Sequence, residues 1–336
     1  MSGGLDTMKE GILSVIGNTP LIRLVRVFED IHFELYAKIE ALNPGGSTKD
    51  RPAFAIIKHG LETGAIGPGT VVIESSSGNM GIGLAMACSY FELRFICVVD
   101  PKATLQNIKL LEAYGAEVDM VTEPDPVTGE YLQARIDRVR DLLESTKDGF
   151  WPNQYANEYN PMAHHQTMRE IASALPRLDY LFCATSTCGT LRGCAEYIRI
   201  NNLSTKIFAV DAAGSVIFGN QKAKRLIPGH GAAVVPSLFQ PHLADECIHL
   251  NDFDCVVGCR RLVRREAILA GGSSGAVLMA VERVKDRIPT GSVCALIFPD
   301  RGERYLDTIY SDSWVIEHFG HAPDMWKDDK VCATAI

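Results

Sequence analysis

No apolar run in the 336-residue sequence approaches the ~18–20 residues that a membrane-crossing helix needs. Residues 1–10 lack a basic segment leading into an apolar stretch, so no secretory signal is expected there. Positive charge is in deficit. Lys and Arg number 33 against 41 Asp and Glu, a net charge of −8, which argues against general nucleic-acid or membrane-surface binding. The Gly-x4-Gly-Lys-Ser/Thr spacing of a nucleotide P-loop is missing. So is the spacing of a metal site. Cys255 and Cys259 stand one helical turn apart with no His or Cys pair nearby, and the adjacent His164 and His165 point to different faces without a third ligand. The ten cysteines are irregularly placed, often in apolar surroundings such as Phe95-Ile96-Cys97-Val98-Val99. Reduced, buried thiols are therefore expected in place of a disulfide framework. Repeats and low-complexity segments are also absent.

What is present suits a cytoplasmic α/β protein of one or two domains, with 46% apolar and 22% charged residues. Short β-rich runs occupy 34–40, 70–74, 94–99, 117–121, 180–184, 206–210 and 293–298. Several are nearly all apolar, as parallel strands covered on both faces should be. Helical patterns at 51–62, 81–89, 105–114, 131–144, 162–174, 191–200 and 276–288 alternate with them. That alternation predicts right-handed βαβ units in doubly wound sheets, one from the first four strands and one from the last three. Segment 150–160, with Pro152 and several Asn residues, reads as a crossing loop. Residues 321–336 lack a sustained apolar pattern and read as a loose tail.

In such sheets ligands sit beyond the carboxyl ends of strands, where loops feed helices. In Asn43-Pro44-Gly45-Gly46-Ser47-Thr48-Lys49-Asp50-Arg51, Ser47 or Thr48 can cap the helix that follows. Lys49 then lies at its positive end, where a neutral amine or a Schiff base forms more readily. Glu74-Ser75-Ser76-Ser77-Gly78-Asn79-Met80-Gly81 offers hydroxyls and N–H groups for an anion. Ala184-Thr185-Ser186-Thr187-Cys188-Gly189-Thr190 and Gly271-Gly272-Ser273-Ser274-Gly275 open two further helices with small residues. Read singly, each is equally an ordinary capped turn.

Together and in order, these loops resemble the fold-type II pyridoxal-phosphate (PLP) enzymes of the cysteine synthase and cystathionine β-synthase group. The matching residues are Ile16-Gly17-Asn18-Thr19-Pro20-Leu21, the lysine loop at 44–50, Ser77-Gly78-Asn79 and Gln154-Tyr155-Ala156-Asn157. Residues 271–275 and Gly302-Glu303-Arg304-Tyr305-Leu306 complete them, so the resemblance spans roughly residues 11–315. It implies two doubly wound domains with twisted, mostly parallel sheets, like the tryptophan synthase β-subunit. Residues 35–155 would form a smaller mobile domain carrying Lys49; 11–34 with 156–320 would form the larger, cofactor-phosphate-binding one. A homodimer is also implied. By resemblance, Lys49 binds PLP and moves the substrate α-proton, Asn79 meets the cofactor 3′-oxygen, and Ser76, Ser77 and Gln154 meet the substrate carboxylate. Ser186, Thr187, Cys188, Gly189 and Thr190 match the phosphate loop. Ser273 matches the hydroxyl facing the pyridine nitrogen, which favours leaving-group expulsion from the β-carbon over transamination.

Departures from ordinary cysteine synthases include Ser186 and Cys188 where Gly is common, and Met80 in place of a Thr. With Val98-Val99-Asp100-Pro101-Lys102, Glu123-Pro124-Asp125, Gly214-Ser215-Val216-Ile217-Phe218-Gly219, Val257-Gly258-Cys259-Arg260 and Pro299-Asp300-Arg301-Gly302, they resemble the N-(2-amino-2-carboxyethyl)-L-glutamate synthases. That family opens 2,3-diaminopropionate biosynthesis for siderophores or peptide antibiotics. The resemblance implies that O-phospho-L-serine and L-glutamate are joined through an aminoacrylate. Arg135, on the 131–144 helix, is the candidate for the phosphorylated substrate, with Tyr155 beside it; the alternative is a solvated Arg135 face shared with Arg138. Lys222, Lys224 and Arg225 read first as a surface charge run. Sulfide as nucleophile, and a catalytically silent PLP-binding scaffold, are the competing readings.

Overall fold

The computed structural model describes residues 10–127, 129 and 131–322. All of the tail read at 321–336 except its first two residues lies outside them. The chain runs through β1 (Leu21–Arg23), β2 (Glu34–Ile39), α1 (Asp50–Thr63), β3 (Val71–Ser75), α2 (Asn79–Tyr90), β4 (Arg94–Val99), α3 (Leu105–Ala113) and β5 (Glu117–Met120). It continues through α4 (Tyr131–Ser145), β6 (Gly149–Phe150), α5 (Tyr159–Ala174), β7 (Tyr180–Ala184), α6 (Gly189–Ile200) and β8 (Lys206–Ala212). The last elements are β9 (Glu246–Leu250), α7 (Asp252–Glu266), α8 (Gly272–Val284), β10 (Val293–Phe298) and α9 (Asp312–Phe319).

Two sheets form. One has the order β1-β2-β10-β7-β8-β9 and is parallel except for β1; the other, β5-β4-β3-β6, is parallel throughout. The period-two alternation of side chains explains why the strands are apolar throughout. In β7, Phe182 joins the core beneath α7 and α8, whereas Leu181 and Cys183 join the core beneath α5 and α6. Likewise Val72, Phe95 and Cys97 pack toward α1–α3, while Val71, Ile73, Ile96 and Val98 meet Val139 of α4.

The expected grouping of strand 34–40 with the next three is corrected. β2 lies in the six-stranded sheet, in parallel register with β10 from Glu34↔Val293 to Ile39↔Phe298. Pairing partners so far apart in sequence leave no local signature. The segment at 34–39 therefore belongs with the larger sheet, although α1, which follows it, packs on both α2 and α5. The crossing loop stands largely as expected, except that its first residue ends β6 and Tyr159 and Asn160 open α5. No helix of the described residues is long and apolar enough to cross a membrane. Nine described cysteines are free and all but Cys247 are buried, which matches the expected reduced thiols.

Candidate active site

Lys49 is the N-cap residue of α1, at the positive end of the helix. Ser47 Oγ accepts the Lys49 N–H at 3.2 Å, so the expected capping by Ser47 or Thr48 is corrected: Lys49 itself holds the cap position, and no side chain caps the first turn of α1. Thr48 Oγ1 is enclosed without a partner. Burial lowers the pKa of the half-buried Lys49 amine, against the opposing charge of Asp300. The loop is pinned from outside. Thr48 donates its N–H to Pro299 O at 2.7 Å, and Arg304 Nη2 donates to Gly45 O at 2.5 Å. The buried Asp50 accepts the Gly45 N–H at 2.6 Å, and burial raises its pKa to about 7.

Beneath this loop lies a buried charge network. Glu40 accepts from Arg51 Nε at 2.6 Å and Nη2 at 2.7 Å, while Glu170 binds Arg51 Nη2 at 2.8 Å and Lys38 Nζ at 2.5 Å. The Gly17-Asn18-Thr19 motif joins it: Thr19 Oγ1 donates to Glu40, and the Asn18 N–H donates to Glu170. The motif residues far from Lys49 thus fix the helix that carries it.

The serine loop follows β3. Ser76 Oγ accepts the Gly81 N–H at 2.9 Å and so caps the first turn of α2. Ser77 Oγ instead accepts from Arg135 Nη1 at 2.9 Å and from the Asp100 N–H at 3.3 Å. Arg135 also pairs with Asp100 through Nε–Oδ2 at 3.1 Å, with only 12% of its side chain exposed. Arg138, by contrast, is paired with Asp119 and 43% exposed. The two arginines therefore face different surroundings. Behind the loop, buried Glu74 accepts the Gln154 N–H at 3.1 Å and Trp151 Nε1 at 3.1 Å; burial raises its pKa to about 7. Gln154 Nε2 donates to Ser75 O at 3.4 Å. Tyr155 is half-buried next in the chain, and desolvation raises its pKa while Arg135 and Arg225 oppose that rise.

Asn79 opens α2, and its Nδ2 donates to Asp300 Oδ2 at 2.8 Å. The Tyr305 hydroxyl donates to the same oxygen at 2.5 Å, whereas Asp300 Oδ1 is enclosed without a partner. Asp300 also bridges Ser47 in the lysine loop, and its backbone O accepts the Gly271 N–H at 3.1 Å. Ser273, in the first turn of α8, is buried, and the neighbouring Ser274 hydroxyl is enclosed without a hydrogen-bond partner. Gly275 serves packing: a Cβ there would meet Cys255 O of α7 at 2.2 Å.

The loop after β7 ends at Cys188, which caps α6 in the left-handed conformation at φ 66°. Thr187 Oγ1 accepts from Asn160 Nδ2 at 3.3 Å, and Thr190 Oγ1 contacts His164 Nε2 at 3.2 Å. Burial holds His164 well below the usual histidine pKa. Gly189 has no room for a side chain, since a Cβ would lie 2.0 Å from Asn160 Oδ1. Ser186 is half-buried beside these groups in the chain.

The sequence candidates thus stand at the carboxyl ends of β2, β3 and β7 and at the start of α8, with Arg135 arriving from α4. Asp300, Arg304, Glu74 and Asp50 were not singled out as site residues. Asp300, Arg304 and Asp50 lay inside matched motifs; Asp300, Glu74 and Asp50 are buried carboxylates, which sequence normally assigns to the surface. The described residues form no cluster of three or more His, Cys, Asp or Glu able to hold a metal ion. A surface cavity of about 400 Å³, lined by residues including Tyr180, Lys206 and Glu246, lies at the starts of β7, β8 and β9, at the opposite strand ends.

A model of the pyridoxal-phosphate dependent enzymes matches residues 12–300, and the chain belongs to that family. It is similar to the N-(2-amino-2-carboxyethyl)-L-glutamate synthase of Ralstonia nicotianae, 47% identical over 308 residues that cover 91% of each chain. The protein of the same name from Cupriavidus metallidurans is 47% identical over 309 residues, or 90% of each chain. Among solved structures, the O-acetylserine dependent cystathionine β-synthase from Helicobacter pylori superposes with a TM-score of 0.84 at 31% identity, covering 90% of this chain and 99% of that one. The resemblance drawn from the ordered motifs is borne out.

Proposed function

We propose that the protein joins O-phospho-L-serine to the amino group of L-glutamate, giving N-(2-amino-2-carboxyethyl)-L-glutamate and phosphate. The observation that carries this reading is Arg135, a guanidinium turned into the serine loop. A cation there suits a leaving group that is a phosphate dianion, and an acetyl ester would not require it. The names of the two 47%-identical relatives support the product, and so glutamate as the incoming amine.

The residues present fit PLP. The first-turn N–H groups of α6 lack intrahelical partners, and Ser186, Thr187, Cys188, Gly189 and Thr190 surround them with small and polar groups suited to its phosphate. The buried Ser273 hydroxyl at the start of α8 suits the pyridine nitrogen, and the Asn79 amide suits the 3′-oxygen. The depressed pKa of Lys49 suits a covalent bond to the cofactor.

Bound PLP supplies the electron sink that acidifies the substrate α-carbon and allows a β-substituent to depart. Lys49 holds the cofactor at rest, then takes the α-proton and returns it after the new bond forms. Its burial favours the free amine over the ammonium. Ser76, Ser77 and Gln154 orient the substrate carboxylate, and Arg135 with Tyr155 receives the departing phosphate. Ser273 remains neutral opposite the ring nitrogen and so favours departure at the β-carbon. Closure of the four-stranded unit, mostly within 35–155, excludes water. The protein acts in the cytoplasm as a homodimer.

Supplying O-phosphoserine with glutamate or sulfide, and weighing the product by mass spectrometry, tests the reading. The glutamate adduct is expected; exclusive formation of cysteine would overturn it. Lys49→Ala should lose the absorbance of bound cofactor and reduce turnover by at least about 10²-fold. Absence of both cofactor binding and turnover in the unmodified protein would favour a silent scaffold.

A further inference from the structure

Arg225 belongs to the long connection between β8 and β9, which touches the candidate site twice. Gly231 donates its N–H to Thr185 O at 2.7 Å, just beyond β7. Ile227 covers the start of α8 so closely that a Cβ on Gly272 would meet its Cγ2 at 2.4 Å. Between these points, the Leu226 and Ile227 N–H groups donate to Asp252 at 2.8 and 3.3 Å. The backbone beside Arg225 is therefore fixed.

Its side chain differs from the neighbouring basic residues. Lys222 and Lys224 are exposed, but Arg225 is half-buried and its Nε is enclosed with no hydrogen-bond partner. Nη1 donates to His230 O at 3.0 Å, and no carboxylate pairs with Arg225 among the described residues. Its charge nevertheless reaches Tyr155, as does that of Arg135. Tyr155 therefore feels two guanidiniums, Arg135 from the four-stranded side and Arg225 from the connection after β8 in the six-stranded sheet. The surrounding groups leave Arg225 uncompensated. His230 is buried, and burial followed by the Arg225 charge holds its pKa down at about 3, so it stays neutral.

A partly dehydrated guanidinium with an unused donor gains most from a planar carboxylate that accepts two parallel bonds. Two anionic molecules would use this site in turn. Arg135, already bonded to the serine loop, lies where the first is held. We propose that Arg225 receives a carboxylate of the incoming amino acid and makes the site selective for a dicarboxylic nucleophile. This assignment rests on the β-replacement reading above.

Cofactor-loaded protein and its Arg225→Gln variant separate the possibilities. Phosphate released from O-phosphoserine alone, in a single turnover, reports the first half of the reaction. Product formation against glutamate concentration, and preference for glutamate over L-alanine, report the second. The variant should release phosphate within about twofold of the parent while its KM for glutamate rises about 10-fold or more, the scale of a lost charged hydrogen bond. Its preference for glutamate over alanine should fall with it. Slowed phosphate release with unchanged glutamate dependence would assign Arg225 to the leaving group and overturn the proposal; no change in either would also overturn it. If Arg225→Gln does not fold, Arg225→Lys makes the same comparison: a raised glutamate KM with intact phosphate release supports the proposal, and both intact overturns it. Use of sulfide but no amino acid by the parent protein would instead overturn the reading of glutamate as the nucleophile, before any variant is compared.

Discussion

The lysine loop and the serine loop are both strand-to-helix turns, yet they are held in opposite ways. Residues 41–49 are tied to groups from the six-stranded side: Gly17 N–H to Asn43, Pro299 O to Thr48, Arg304 to Gly45, and Arg301 Nε to Ala41 O at 2.9 Å. The serine loop takes its partners from the four-stranded side. Ser76 caps its own helix, Ser77 Oγ meets Arg135 and the Asp100 N–H, and Asn107 Nδ2 donates to Ser77 O at 3.1 Å. A relative movement of the sheets would thus carry Ser76 and Ser77 while leaving Lys49 in place. Asn79, bonded to Asp300, crosses between the two sets.

The largest test of that contrast is Arg51→Met. It leaves Glu40 and Glu170 buried without their shared guanidinium, with Lys38 compensating only Glu170. The expected cost is about 3–5 kcal/mol, read as a lower urea midpoint. A loss below about 1 kcal/mol would show that backbone bonds alone hold the lysine loop.

The next test uses Asp50. Burial raises its carboxyl from 3.8 to about 7, although the Gly45 N–H and the Arg304 charge pull it down. The folded state therefore keeps a proton that the unfolded chain releases. This contribution is fully present below pH 3.8 and lost as pH rises through about 7. Asp50→Asn keeps an acceptor for Gly45 but removes the titration. Its stability should fall less steeply than that of the parent between these pH values, by up to about 1.4 kcal/mol per pH unit. Equal slopes in chemical unfolding would mean that Asp50 is already ionised against Arg304.

These tied and untied loops were unequally legible in sequence. The helices at 51–62, 105–114 and 131–144 and the strand at 94–99 differ from the observed elements by at most a residue at either end, because long periodic or apolar runs carry their own signal. β1, β6 and β9 were not read: two are very short, and β9 is an edge strand containing Glu246 and His249. α7 was missed despite the Asn251–Asp254 capping box that marks its start. The lysine, serine and phosphate loops were legible as turns after strands. Their fastening was not, since Asp50, Asp300 and Arg304 act through partners distant in the chain. Arg135 was half legible: helical spacing separates it from Arg138, but local sequence does not say which of the two faces the loop.

Ser77→Ala should have the smallest effect on folding and separates the two modes of fastening. Its hydroxyl accepts from Arg135 and Asp100, yet Arg135 retains the Asp100 carboxylate and the loop retains the Asn107–Ser77 O bond. Losing one partly buried hydrogen bond should therefore cost about 1 kcal/mol of stability. Under the proposed reaction, that hydroxyl also helps to orient the substrate carboxylate, so the KM for O-phosphoserine should rise about 10-fold while cofactor absorbance stays unchanged. Parallel losses of stability and cofactor would instead show that the serine loop supports the fold as the lysine loop does. An unchanged KM would make Ser77 only a rest for Arg135, leaving the guanidinium free to meet the substrate directly.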